Sequence, residues 1–287
     1  MSAPSRTFDL DRVRAAVAGT RFADVRWVAE TGSTNADLLA LAADGGAEGV
    51  VLGADHQTAG RGRRGRTWTA PPDAAVLVSV LVRPPAPAVD LVMPAVAVAA
   101  AAAVEEVTGV APGIKWPNDL VVAAPPGGPE RKLAGILAEA AWPPGADAAG
   151  GWREPGAAER VTVVAGMGLN VAAAGRAPEL DGIAVAAGEL VGPGTDPPTR
   201  EALVTAWLLG LDRWYGAATD PARHDELWAA WRARSATLGR RVRVDLGPDD
   251  LVGQAVDVTS RGQLVVRTAE GAERTLAVGD VTHLRLA

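Results

Sequence analysis

Cysteine is absent from this sequence of 287 residues, and histidine occurs only three times, at positions 56, 224 and 283. The absence of cysteine excludes a disulfide framework, a Cys-ligated zinc or iron–sulfur centre and a thiol nucleophile. Because three scattered imidazoles also offer little for metal ligation, we predict that the chain holds no metal centre of its own.

Lysine and asparagine are almost as scarce. Of the 28 basic residues 26 are arginine, the two lysines are Lys115 and Lys132, and the three asparagines are Asn35, Asn118 and Asn170. In a sequence rich in Ala, Gly, Pro and Arg, this scarcity indicates that Lys and Asn persist only where no other residue serves. These five positions are therefore the first candidates for a functional site.

Excess positive charge and long apolar runs are also missing. The formal net charge of -6 argues against a protein that coats nucleic acid or binds anionic lipid. The longest apolar run, Leu91 to Val104, has 14 residues, whereas a membrane-spanning helix needs about 20. Since the N-terminus also has no apolar signal segment, we predict a cytoplasmic protein without membrane association.

The patterns that are present predict an α+β fold in two domains. Periodicity and capping predict helices near residues 9–18, 33–44, 91–107, 199–215 and 220–235. Apolar runs predict strands near 25–29, 50–55, 75–82, 114–115, 119–122, 132–141 and 161–167, and loops at 125–130 and 143–160. Short alternating strands near the C-terminus predict a small β-barrel, so we place the domains at 1–237 and 238–287. Balanced charge and a lack of aromatic residues disfavour nucleic-acid binding by this barrel.

A glycine-rich basic loop follows the second predicted strand. Gly60 to Gly65, GRGRRG, matches the GxGxxG pattern, but a dinucleotide-binding loop must open a helix, and here Pro71 and Pro72 lead into a strand. We reject that interpretation. Four arginines remain, at 61, 63, 64 and 66, whose guanidinium groups can bind carboxylate or phosphate oxygens. Taken alone, the loop could equally be a solvated basic loop or an Arg/Gly arm for nucleic acid.

The five scarce residues lie in four other short motifs at strand ends or element junctions. The motifs are TGSTN (31–35), KWPND (115–119), KLAGILAE (132–139) and GMGLNV (166–171). The first opens a helix, where free backbone N–H groups favour an anion or a polar ligand. Any one motif could be a cap, a turn or a surface charge, but together with the arginine loop they predict one site.

In this order and spacing, the five motifs resemble those of the biotin protein ligases. The resemblance is strong from Glu30 to Val171 and includes Gln57 to Trp68 and Lys115 to Leu120. It implies an α+β, mixed-sheet biotin/lipoate ligase-like catalytic domain with helices on one face, followed by a small SH3-like β-barrel.

The resemblance implies an ATP-dependent reaction in two steps. Such enzymes convert biotin and ATP to biotinyl-5'-AMP and pyrophosphate, and then pass biotin to one lysine of the biotin carboxyl carrier domain of an acetyl-CoA, other acyl-CoA or pyruvate carboxylase. Mg²⁺ is expected with ATP, held mainly by the phosphates. Bifunctional members carry a winged helix-turn-helix domain ahead of the catalytic one; since only about 25 residues precede the first catalytic strand here, we expect no DNA binding. The oligomeric state stays open.

The resemblance also implies residue roles. The residues expected to bind biotin are Ser33, Thr34, Asn35, Gln57, Gly60, Arg61, Gly62, Arg63, Lys132 and Gly135. Those expected to bind ATP or the adenylate are Arg61, Arg66, Trp68, Lys115, Asn118, Gly168 and Asn170. The expected catalytic residues are Arg63, Arg66, Lys132 and Asp119, and Asp119 would orient the incoming lysine amine.

Two alternative functions are open at this point. A lipoate or octanoate transferase has a similar catalytic fold, but it takes an apolar acyl chain, and the polar cluster of Ser33, Thr34, Asn35 and Gln57 argues against it. A non-catalytic biotin or nucleotide sensor is disfavoured by the presence of both lysines, Asp119 and an intact arginine loop.

Overall fold

A computed structural model of the chain describes residues 8–123, 128–142, 155–246 and 250–277, and the backbone of 280–283. Much of the loops predicted at 125–130 and 143–160 lies outside these residues. The helices are α1 (Leu10–Val17), α2 (Thr34–Ala43), α3 (Val89–Thr108), α4 (Arg200–Thr219) and α5 (His224–Ala233). The strands are β1 (Val25–Thr31), β2 (Val51–Gln57), β3 (Ala75–Val82), β4 (Gly113–Lys115), β5 (Asp119–Val122), β6 (Arg131–Ala141), β7 (Thr162–Asn170), β8 (Arg241–Asp245), β9 (Asp250–Val258), β10 (Leu264–Arg267), β11 (Glu273–Leu276) and β12 (Asp280–His283). Every helix and strand predicted before residue 236 is found, with ends that shift by a few residues.

The first seven strands form one mixed sheet in the order β1-β2-β3-β7-β6-β5-β4. β1 and β2 are parallel, and the other neighbours are antiparallel. At the β4 edge, Ile114 N–H donates to the Arg234 carbonyl at 2.7 Å, which covers this edge with the chain that follows α5. The arrangement confirms the predicted mixed sheet.

The two faces of the sheet pack differently because side chains alternate along each strand. In β3, Val76, Val78 and Val80 point into the main core with α3 and α4, whereas Leu81 packs with Leu38 of α2 on the opposite face. Each fully buried side chain of this size contributes about 1.5–3 kcal/mol to stability. The predicted helical layer is present on one face, and α2 adds a single helix to the other.

Helix α3 is the most apolar helix of the described residues. The segment Ala86–Thr108 is long and apolar enough to cross a membrane by length and composition. However, 72% of its most apolar 18-residue stretch is buried inside the fold. Its small residues allow close helix packing: a Cβ on Gly210 of α4 would lie 3.6 Å from the backbone of Ala99. These contacts are those of a core helix.

The C-terminal strands form a second, antiparallel sheet in the order β11-β10-β9-β8-β12. Two tryptophans tie it to the larger sheet and its helices, because Trp116 Nε1 donates to the Gly262 carbonyl at 2.9 Å and Trp228 Nε1 donates to the Ser260 carbonyl at 3.2 Å. Arg232 adds a 2.8 Å bond from Nε to Asp257 Oδ1.

Candidate active site

A cleft of about 330 Å³ opens on the sheet face that also carries α2. All five sequence motifs contribute to it. The predicted site residues that line the cleft are Ser33, Thr34, Asn35, Gln57, Arg61, Gly62, Arg63, Arg66, Trp68, Lys115, Asn118, Asp119, Lys132, Gly135 and Gly168. The fold therefore brings together residues that are up to 135 positions apart in the chain.

One part of the cleft is a polar floor, formed by Thr34, Asn35, Gln57 and Ser79. The Thr34 backbone N–H donates to Gln57 Oε1 at 2.8 Å, the Thr34 and Ser79 hydroxyls are 2.7 Å apart, and Ser79 Oγ donates to Asn35 Oδ1 at 2.6 Å. Thr34, Asn35 and Ser79 are at most 5% exposed. Because buried polar groups are hydrogen-bonded in stable proteins, this network holds uncharged donors and acceptors in set directions.

The beginning of α2 and the glycines of β7 allow this floor to form. Ser33 is the extended N-cap of α2 and makes no side-chain capping bond, and the first N–H of the helix, on Thr34, donates to Gln57. Below the floor, a Cβ on Gly166 would lie 2.2 Å from Asn35 Oδ1 and 2.9 Å from Ser79 Oγ. Only glycine at this position lets the network lie against the sheet.

The adjoining part of the cleft is a charged wall, formed by Arg61, Arg63, Asp119 and Lys132. Lys132 Nζ lies 2.7 Å from Asp119 Oδ1, and their side chains are 37% and 25% exposed. Arg63 Nη1 donates to Asn118 Oδ1 at 3.4 Å. The wall thus presents cations at an opening that solvent can reach, in contrast to the buried floor.

An irregularity in β6 turns Lys132 towards the cleft. Leu120 pairs with Ala134 but Val121 pairs with Lys132, so Leu133 is an extra residue in β6. Leu133 is fully buried in the main core. A β-bulge of this kind re-aims side chains, and here it allows Lys132 to share the cleft face with Gly135.

Trp68 packs against two of the predicted glycines. A Cβ on Gly168 would lie 2.5 Å from Trp68 Cε2, and one on Gly135 would lie 3.1 Å from Trp68 Cζ3. Lys132 Nζ lies 5.5 Å from the centroid of the indole, which is within the range of a cation–π contact. We expected Gly135 to make room for a ligand, whereas the space beside it is taken by Trp68 and the Lys132 side chain.

The arginine loop forms a tight turn with a single 3-10 turn at Arg63–Gly65 and leads into β3 rather than into an α-helix, in agreement with the rejection of a dinucleotide fingerprint. Gly62 N–H donates to the Arg66 carbonyl at 2.7 Å, and Arg64 and Gly65 have positive φ values of 54° and 71°. Glycine adopts that conformation readily. The turn directs Arg61 and Arg63 into the cleft.

Gly60 and Asn170 do not line the cleft, although we predicted them as ligand contacts. A Cβ on Gly60 would lie 2.4 Å from the Trp68 carbonyl, so this glycine permits the loop to close on itself. Asn170 Nδ2 donates to the backbone carbonyls of Val185 and Lys132, at 3.3 and 3.5 Å. In the structure both residues support cleft residues.

Three residues that the sequence did not single out complete the surroundings of the site. Ser79 belongs to the floor, and its signal was one hydroxyl in the apolar run AVLVSVLV of β3. Glu139 contacts Asn35 and Arg61, at 2.8 and 3.1 Å. Arg200, 6% exposed, holds both ends of the arginine loop through Asp55 at 2.7 Å and Asp73 at 2.9 Å. Among 26 arginines, nothing in the sequence marked Arg200.

Family models identify the class to which the fold and the cleft belong. A model described as the biotin/lipoate A/B protein ligase family matches residues 36–143, and a model of the biotin protein ligase C terminal domain matches residues 237–284. The class is therefore that of the biotin/lipoate protein ligases. The C-terminal match and the second sheet agree with the predicted SH3-like barrel.

Individual relatives place the chain within this class. The biotin--[acetyl-CoA-carboxylase] ligase of Mycobacterium tuberculosis is 40% identical over 96% of this chain and 94% of its own length. The bifunctional ligase/repressor BirA of Bacillus subtilis is 28% identical over 84% of this chain and 69% of its own length. The chain belongs to the biotin protein ligases, as its motifs predicted.

A solved structure supports the fold independently. The biotin protein ligase from Aquifex aeolicus in complex with biotin and ATP superposes with a TM-score of 0.71 at 22% identity, covering 92% of this chain and 100% of the other. The α+β fold class predicted from the sequence is confirmed.

Proposed function

We propose that this chain activates biotin as biotinyl-5'-AMP, releases pyrophosphate, and then transfers the biotinyl group to a lysine of a biotin carboxyl carrier domain. The observation that carries the proposal is the junction of the polar floor and the charged wall in one cleft. Biotin has an uncharged polar ring at one end and a carboxylate at the other. The floor offers neutral hydrogen-bonding groups for the ring, and the wall offers cations for the carboxylate.

In the first step, a carboxylate oxygen of biotin attacks the α-phosphorus of ATP. A phosphorus–oxygen bond to biotin forms, the bond to the β-phosphate oxygen breaks, and pyrophosphate leaves. Both reactants are anions, so they repel each other unless fixed positive charge offsets the repulsion. Arg61, Arg63 and Lys132 supply that charge, which is usually the largest catalytic contribution in such reactions.

The close pair of Lys132 and Asp119 connects this step to the second one. An arriving anion competes with Asp119 for Lys132, because the two side chains are 2.7 Å apart before any ligand binds. Asp119 is then available to orient the carrier lysine, whose unperturbed pKa of about 10.4 means that it arrives as an ammonium. After loss of that proton the amine attacks the carbonyl carbon, an amide bond forms, and AMP leaves with the bonding electrons.

The remaining cleft residues receive roles by position. Ser33 adds a hydroxyl beside the floor, and Gly62 lets the loop backbone approach the ligand. Trp68 offers an aromatic surface for adenine, and Arg66, Lys115 and Asn118, which line the same cleft, would contact the adenylate. Gly60 and Asn170 would act through Trp68 and Lys132 rather than by direct contact, and Gly168 lines the cleft and leaves room for Trp68.

We also propose Mg²⁺ as the partner of ATP. Within the part of the chain that the structure describes, no three His, Asp or Glu side chains group to hold a metal ion. The phosphates would therefore provide most of the ligands, and we assign no step to a metal held by the protein. The carrier of an acetyl-CoA, other acyl-CoA or pyruvate carboxylase, a cytoplasmic location and a domain boundary at residues 237/238 stay proposals.

The test is direct. The protein is incubated with biotin, MgATP and a biotin carboxyl carrier domain, and the intact mass of the carrier is measured, with a carrier that lacks the acceptor lysine as the control. We expect one added biotinyl group on the first carrier and none on the control. ATP–pyrophosphate exchange with biotin or lipoate separates the alternatives, and faster exchange with lipoate would contradict the proposal.

A further inference from the structure

The side chain of Glu139 joins the polar floor to the arginine loop. Its Oε2 atom accepts a 2.8 Å hydrogen bond from Asn35 Nδ2, and its Oε1 atom lies 3.1 Å from Arg61 Nη1. Each carboxylate oxygen therefore serves a different part of the cleft. Glu139 itself does not line the cleft, so it can act on a ligand only through these two neighbours.

The contact with Asn35 determines how the floor is oriented. Asn35 is 5% exposed, and its amide nitrogen donates to both Glu139 and the Leu137 carbonyl, the latter at 3.2 Å. With both donors used on this side, Oδ1 faces Ser79 and accepts its hydroxyl at 2.6 Å. A carboxylate accepts hydrogen bonds and cannot donate them, so Glu139 selects this orientation of the amide.

The contact with Arg61 holds one end of the loop. Arg61 forms an isolated bridge with Thr67 across the turn, and its side chain is 42% exposed. An exposed guanidinium samples many rotamers unless it is paired, and its pair with Glu139 keeps it beside the floor. Since the Glu139 side chain is 27% exposed, the pair is partly shielded from solvent.

We propose that Glu139 is a positioning residue that couples the polar floor to Arg61, so that the ring and the carboxylate of biotin are bound cooperatively. The inference rests on the proposed function, because biotin must span the floor and the wall for the coupling to have an effect. It predicts that the contributions of Asn35 and Arg61 to biotin affinity depend on each other only while Glu139 is present.

A triple-mutant cycle tests this coupling. Biotin affinity is measured by calorimetry for Asn35→Ala, Arg61→Ala and the double variant, first with Glu139 present and then in a Glu139→Ala background. We expect Glu139→Ala alone to weaken biotin binding about tenfold, which corresponds to the loss of one charge-assisted contact. We expect the two other substitutions to be non-additive by about threefold or more with Glu139 present and additive without it.

Two further variants keep the result interpretable. Glu139→Gln can still accept from Asn35 but loses the ion pair, so it should weaken binding less than Glu139→Ala and remain folded if the alanine variant does not. Glu105→Ala removes a comparable pair with Arg234, 2.9 Å long and away from the cleft, and should leave biotin affinity unchanged.

The outcomes separate this inference from the proposed function. If the parent protein binds biotin and the Asn35–Arg61 coupling is the same with and without Glu139, the coupling role is wrong and the ligase proposal stands. If the parent protein neither binds biotin nor modifies the carrier, both are wrong.

Discussion

The polar floor and the charged wall lie side by side but are built by opposite physical rules. The floor is uncharged and mostly buried, with Ser79 fully buried and Thr34 3% exposed, and its side chains bond mainly to one another. The wall is partly exposed, and Lys132 and Asp119 form a 2.7 Å ion pair for which an anionic ligand would compete. The difference indicates that a rigid hydrogen-bond network suits a neutral ligand group. Ion pairs whose members can exchange partners suit a group whose charge changes during the reaction.

The largest effect is expected from removal of the wall's lysine. Lys132→Ala should slow adenylate formation by about 100-fold or more, the size seen when one preorganised donor to a developing charge is lost. Transfer from supplied biotinyl-5'-AMP should fall by less than about tenfold, because the anhydride is already formed.

Single-turnover assays of the two half-reactions measure these losses separately. Arg213→Ala, which removes an exposed pair with Glu226 at 2.9 Å, serves as the control and should alter neither. Equal losses in both half-reactions would show that Lys132 does not act mainly in activation.

The second-largest effect, on biotin affinity, should come from a methyl group added beneath the polar floor. Gly166→Ala forces a methyl group to within 2.2 Å of Asn35 Oδ1, and overpacking of this kind costs about 1–3 kcal/mol. Because the floor cannot yield without breaking its network, we expect biotin affinity to fall about tenfold or more.

Calorimetry with biotin in the absence of ATP reads this change. Gly192→Ala is the matched control, since a Cβ there meets no atom within 4 Å, and its affinity should equal that of the parent. An unaltered affinity for Gly166→Ala would mean that the floor does not contact the ligand.

A smaller effect, on the release of biotinyl-5'-AMP, is expected when Arg63 is removed from the charged wall. Arg63→Ala should leave the fold intact but release biotinyl-5'-AMP about tenfold faster, because the loop would shield the anhydride from water less well. Chromatographic separation of free from bound adenylate gives the release rate, and thermal unfolding checks that the protein is folded. Release at the parental rate would exclude a closing role for this arginine.

The smallest effect on biotin affinity should come from a higher salt concentration. Raising NaCl from 0.1 to 0.5 M screens exposed charges, so the affinity for biotin should fall about threefold, while that for biotin methyl ester, which lacks the carboxylate, should stay nearly constant. Calorimetric titrations of both ligands test the distinction. An equal loss for the two would show that the wall does not bind the carboxylate.

Much of the cleft could be predicted from the sequence because residue types that are scarce in this chain occur in the cleft motifs. Lys132, Asn35 and Asn118 stand out in a chain that uses arginine and alanine elsewhere, and their motifs converge on one cleft. Local patterns were sufficient for the helices, since capping residues and periodicity act over a few positions.

The rest depends on contacts between distant residues, which local patterns do not contain. The extra residue Leu133 in β6 becomes visible only through its pairing with β5. Asn170 was expected to meet the adenylate, yet its amide supports the backbone of Lys132. Glu139 ends the motif KLAGILAE, but its contacts are with residues 104 and 78 positions away.

The bond from Trp116 to the Gly262 carbonyl has a consequence for protein engineering. Trp116 lies in the same motif as Asn118 and Asp119, and its backbone N–H also bonds to Thr237 Oγ1 at 3.0 Å. A chain cut before the second sheet would leave an indole N–H without its partner at the edge of the cleft. The C-terminal strands are thus a structural component of the site, and a graft or truncation that treats them as a detachable module would disturb the segment that carries Asn118 and Asp119.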